Sequence, residues 1–162
     1  MNKYLRFVLI SLILILLQTK ILQLLSIEGV TPDLFVIWIV YIAIKNGQVP
    51  ATVAGFAIGL LLDLVTGEFV GLSALAKTLC GFTSGYFYNV NKTPQTLGSY
   101  RFLVVVFIAS LVHNIVYFLI FTMGTELTFS EVLIRYGVTS TLYTLALSVL
   151  PMLVFTRQLK VT

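Results

Sequence analysis

Charge is what this sequence has least of. Ten Lys/Arg and six Asp/Glu are 10% of 162 residues, against 59% hydrophobic, where soluble domains carry about 25% charged and about 45–50% apolar residues. So little polar surface cannot coat a globule in water, which excludes a soluble enzyme. Cysteine occurs once (Cys80) and histidine once (His113), so neither an internal disulfide nor a zinc constellation can be assembled. There is no G-x-S-x-G, H-E-x-x-H, phosphate-binding Walker loop or paired-cysteine motif, and no Ser/His/Asp set of plausible spacing. A rhomboid-like protease would need a glycine-flanked serine to go with His113, and none is present. The reading is therefore no enzyme, no catalytic residue, no metal and no cofactor. The net charge of +4 does not point to nucleic acid, because the basic residues are scattered singly. Alanine first appears at Ala43, so no small-residue cleavage site follows the apolar start, and it reads as an uncleaved first helix.

What is present is hydrophobic length. A membrane-crossing helix needs about 20 mainly apolar residues. Apolar runs and their breakers predict a single membrane domain over 1–162, an all-α bundle of six transmembrane helices near 5–25, 32–45, 50–65, 71–88, 102–123 and 129–155. The second and third look short, and could form a re-entrant pair instead. With a cytoplasmic N-terminus, Lys3, Arg6, Lys45, Lys92, Arg101, Arg157 and Lys160 fall inside, as the positive-inside rule asks. Glu28, Asp33, Asp63, Glu68, Glu126 and Glu131 fall on or near the outer side. Tyr4, Tyr41, Tyr86, Tyr88 and Tyr100 gather near the inner interface. Both termini are then cytoplasmic.

Polar residues inside the spans carry the candidate site. Ala51, Gly55, Gly59 and Asp63 share one face of the third helix, and Lys77, Gly81 and Gly85 one face of the fourth. Gly55/Gly59 and Gly81/Gly85 are GxxxG pairs that permit close helix packing. Folded as a hairpin, the two helices bring Asp63 and Lys77 within about 6 Å in depth. They are expected to pair or share a polar pocket in the outer half, since an unpaired intramembrane charge is expensive. The alternative has Lys77 reaching the outer interface while Asp63 ends its helix. His113 and Asn114, midway along the fifth helix, are either a proton relay or ligand contact, or a neutral pair bonded across helices. The latter is preferred, because no carboxylate is expected at that depth. Gly137, Thr141, Thr144 and Ser148 make a packing stripe, Glu131 and Arg135 an i, i+4 ion pair, and Cys80 an apolar filler.

Several segments together resemble one family. Pro32-Asp33-Leu34 with Tyr41-Ile42-Ala43, the run from Gly55 to Leu64 around Asp63, and Gly67 with Gly71-Leu72-Ser73-Ala74-Leu75 are similar to motifs of the rod shape-determining MreD proteins. The resemblance marks Pro32, Asp33, Asp63 and Gly71 as motif positions. It implies a bacterial inner-membrane, non-enzymatic scaffold of the cell-elongation complex. Such a protein binds MreC, and through it is linked to MreB and to the peptidoglycan transpeptidase and glycosyltransferase. It also implies a fold similar to the substrate-binding subunits of energy-coupling-factor transporters. A solute-capturing transporter subunit is thus the competing reading. Such a subunit would be expected to carry an alanine-x-x-x-alanine contact on its first helix, which here has no alanine.

Overall fold

The computed structural model describes residues 3–21, 30–67, 69–123, 125 and 128–161. The continuation of the first predicted helix beyond 21, and Glu28, Glu68 and Glu126, lie outside them, as do the side chains of Lys3, Tyr4, Arg6, Lys20 and Lys160. The described chain is helical, with no strand among its elements. Helix α1 is Lys3–Leu16, continued by a π-helical turn, Leu17–Ile21. Then come α2 (Leu34–Asn46), α3 (Gln48–Thr66), α4 (Leu72–Gly85), the short α5 (Thr93–Leu97), α6 (Tyr100–Met123), α7 (Phe129–Val132) and α8 (Thr139–Val161). A π-helical segment, Leu133–Val138, joins α7 to α8, and α8 runs on through Pro151.

Among the described residues, three stretches are long and apolar enough to cross a membrane: Gln48–Thr66, Tyr100–Met123 and Phe129–Arg157. The third helix is longer than its sequence predicts, because Gln48 and Val49 precede Pro50 in the first turn, where a proline's missing N–H breaks no helical bond. Helix α2, of 13 residues, spans only about 20 Å. It is apolar all round, and a helix of that kind belongs in an interior. Phe35, Val36, Ile39, Val40, Ala43 and Ile44 are each fully buried. Helices α3, α4, α5, α6 and α8 pack around it.

Glycine sets the tightest contact, between α3 and α4. A methyl group added at Gly55 would collide with the Lys77 carbonyl, at Gly59 with the Ala74 backbone, at Gly81 with the Ala51 carbonyl and at Gly85 with Gln48. The backbones therefore touch, as in GxxxG pairs of membrane helices. Helix α6 turns Phe102, Val105, Val106, Ala109, Ser110, His113 and Asn114 inward, a three-four spacing that makes one face.

The surface is the reverse of a soluble protein's. Leu12, Ile13, Val53, Phe56, Leu64, Val104, Leu142 and Leu150 are exposed, while Asp63, Lys77, Asn114, Thr141, Thr144 and Ser148 are buried. Water would not tolerate so much exposed apolar surface; lipid would. At one end, Thr93 Oγ1 donates to the Ile44 carbonyl at 3.2 Å and Thr156 Oγ1 to the Gly98 carbonyl at 2.9 Å. These bonds gather the end of α2, the start of α6 and the end of α8. Exposed Lys45, Lys92, Arg101 and Arg157 belong to that end. Asp33 and Asp63 lie toward the other.

Candidate functional site

Asp33 is the centre of the site. Its backbone is extended, and its Oδ1 accepts from the Phe35 and Val36 N–H groups at 2.8 and 3.2 Å. It is thus the N-cap of α2, so the helix starts just after Pro32 rather than at it. The other carboxylate oxygen, Oδ2, lies 2.6 Å from Lys77 Nζ and 3.3 Å from His113 Nε2. One oxygen closes a helix end and the other meets the cation. Lys77 is 1% exposed, and its ammonium also sits 5.8 Å from the centre of the Phe35 ring, within cation–π range. An unpaired charge at this depth costs about 3 kcal/mol on insertion scales. The pairing offsets part of that cost.

Lys77 pairs with Asp33 and not, as expected, with Asp63. Asp63 Oδ2 accepts from the N–H groups of Gly71 and Ala74 at 2.8 and 3.2 Å, and Oδ1 from that of Ser73 at 3.1 Å. The cause lies in the turn. Helix α4 begins after Gly71, which adopts φ +101° and offers no capping side chain. Its free N–H groups point at α3, and the fully buried Asp63 satisfies them from there. Lys77, more than a turn further along α4, reaches Asp33 instead. A carboxylate does lie at the depth of His113, that of Asp33, and the imidazole meets it across helices. His113 Nδ1 is buried without a hydrogen-bond partner, and its ring packs 5.9 Å from that of Tyr117.

Asn114 ties α6 to the last helix. Its Nδ2 donates to Thr141 Oγ1 at 2.8 Å and to the Gly137 carbonyl at 3.1 Å. Gly137 lies in the π-helical stretch, where the helical bond ladder shifts by one residue. The same shift removes the expected Glu131–Arg135 pair, which assumes four residues bring a side chain round one turn. Glu131 accepts from the Thr128 hydroxyl at 2.7 Å, and Arg135 lies over the Tyr136 ring. Thr141, Thr144 and Ser148 are all buried. Cys80 is buried and free.

Three contributors escaped the sequence reading. Gln18 donates to the Pro32 carbonyl at 2.9 Å and accepts from Leu34 N–H at 3.1 Å. Ser140 donates to the Thr31 carbonyl at 3.1 Å, and Thr144 Oγ1 accepts from Asp33 N–H at 2.9 Å. The signal for Gln18 was an amide within an apolar helix. For Thr144 the only signal was the stripe, which packing alone would also produce; Ser140, outside that stripe, gave none.

Beside this cluster is a cavity of about 360 Å³. Asp33, Lys77, His113 and Asn114 form its floor, with Tyr117 and Tyr136 among its walls and Thr66 at the end of α3. The Asp63 side chain does not line it. Among the described residues no cluster of His, Cys, Asp or Glu side chains could hold a metal ion.

Helices that expose aliphatic side chains and bury an ion pair define an integral membrane protein, with its polar groups turned to one another. The sequence model of the rod shape-determining protein MreD family matches residues 1–159, and the chain belongs to that family. Its role is therefore in rod shape determination, at a membrane. No curated protein and no solved structure gives a significant match to the chain.

Proposed function

We propose that this protein is a non-enzymatic scaffold of the cell-elongation complex in the bacterial inner membrane. It binds MreC directly and is linked through the assembled complex to MreB filaments and to the transpeptidase and glycosyltransferase that extend peptidoglycan. In this reading the bundle has six spans, both termini are cytoplasmic, and Asp33 and the cavity lie toward the outer face. The observation that carries it is the family match along residues 1–159. Support comes also from a groove of about 670 Å³ between α1 and α3, lined by Leu12, Ile15, Val53, Ala54, Ala57 and Leu61. A partner's single span could lie there.

The polar cavity favours a second reading, that of a solute-capturing subunit with the fold of energy-coupling-factor substrate-binding proteins. Mild-detergent extraction and affinity purification of the full chain separates the two. Recovery of MreC is expected. Recovery of an ATPase and a coupling subunit in its place would replace the scaffold reading with the transporter one.

A further inference from the structure

The polar cluster has more donors than acceptors, yet no excess charge. Asp33 is filled: Oδ1 takes two backbone N–H groups, and Oδ2 faces Lys77 and His113, which matches the roughly four lone-pair sites of a carboxylate. The Lys77 ammonium has three N–H donors, and Asp33 is the protein acceptor for one of them. Among the described residues, two N–H bonds of a nearly fully buried cation are therefore left without a protein acceptor, at the wall of the 360 Å³ cavity. Buried donors of this kind find a partner or carry a penalty. The cavity falls within the size range of ligand sites. The rings of Tyr117, Phe118 and Tyr136 line one side.

The geometry points to a binding site for a zwitterionic headgroup, an anionic oxygen carried next to an ammonium, of the phosphoethanolamine type. The phosphate oxygen takes the two unused Lys77 N–H bonds. The ammonium lies beside the rings of Tyr117 and Phe118, since aromatic faces attract cations and the Tyr136 ring already carries Arg135. A purely anionic ligand fits worse, because Asp33 already neutralises Lys77 and would repel a second negative charge in a medium of low dielectric. The position suits a lipid. Lys77 is five residues into α4 from Leu72, about 8 Å of helix rise, and Thr66, exposed at the end of α3, stands at the rim. The same chemistry occurs in a free amino-phosphate solute. This site goes beyond the assembly role and stands without it.

The test uses the full chain in detergent, with the thermal unfolding midpoint as readout, since a ligand of the folded state raises it by mass action. The probes are short-chain phosphatidylethanolamine, short-chain phosphatidylglycerol and free phosphoethanolamine. Phosphatidylethanolamine is expected to raise the midpoint saturably, and phosphatidylglycerol to need at least about tenfold more for the same shift, the discrimination a single ion pair supports. Lys77→Met should abolish the response. Because that variant also removes the partner of a buried carboxylate, Thr66→Trp supplies a second arm. Among the described residues its hydroxyl bonds to the Leu62 carbonyl of its own helix alone, so the variant without ligand should melt like the wild type and bind about tenfold more weakly or worse. Equal response to free phosphoethanolamine identifies a soluble ligand; response to the lipid alone identifies a headgroup. Phosphatidylglycerol binding as well as phosphatidylethanolamine, or Thr66→Trp binding like the wild type, overturns the site.

Discussion

At the scale of single residues, Asp33 shows how one carboxylate can be assigned two tasks. Its Oδ1 caps the start of α2 and its Oδ2 holds Lys77, so changes at this position and at 77 do not act independently. Lys77→Met should cost about 3–5 kcal/mol, since it leaves a buried carboxylate without its cation. Asp33→Asn keeps a capping oxygen but strands the lysine. The two together should recover much of the loss, and the coupling in a double-mutant cycle of thermal midpoints should exceed about 1 kcal/mol. Strict additivity of the two losses would show that the pair does not hold the bundle. Helical spacing places Asp63 and Lys77 on the right faces of their helices, but spacing along a hairpin gives only depth. It does not tell which third helix enters between them. Asp33 was legible as a helix start and illegible as the partner of Lys77, because its 44-residue separation from it is closed only by the packing of α2 inside the bundle.

At the scale of elements, the α3–α4 contact was readable from the glycine spacing alone, since little but helix approach requires small residues every fourth position. The backbone atoms against Gly59 belong to Ser73 and Ala74, the same residues whose N–H groups Asp63 accepts. Gly59→Ala should therefore push apart both the packing and the cap. The expected loss is at least about 1–3 kcal/mol, the usual cost of overpacking. A lowered unfolding midpoint together with faster hydrogen exchange at the start of α4 would show it, and an unchanged midpoint would mean the helices can separate freely. The π-helical stretch was not readable. Its shifted bond ladder depends on Asn114, an amide on another helix that takes the Gly137 carbonyl, and no local pattern in Leu133–Val138 encodes that.

At the scale of the whole molecule, the sequence sets the inside-out distribution of polarity, because composition alone forbids a water-facing coat. It does not set where neighbours bind, since every lipid-facing helix looks alike in hydropathy. Ala57 is exposed and lines the groove between α1 and α3. Ala57→Trp should leave the melting temperature within a degree or two, as surface changes usually do, while reducing co-purified MreC severalfold. Unreduced recovery would move the docking surface elsewhere.

The three-residue segment Thr31–Asp33 is gripped by Gln18 from α1, by Lys77 and His113 from the middle of the chain, and by Ser140 and Thr144 from its last helix. Asp33 and Thr144 are 111 residues apart. At about 5–20 residues per second of synthesis, on the order of 5–20 seconds separate their emergence from the ribosome. During that interval the early helices sit in the bilayer with their latch open. A nascent chain arrested before residue 140 should thus remain accessible to proteases and quality control, and only the arrival of its final helix would close it.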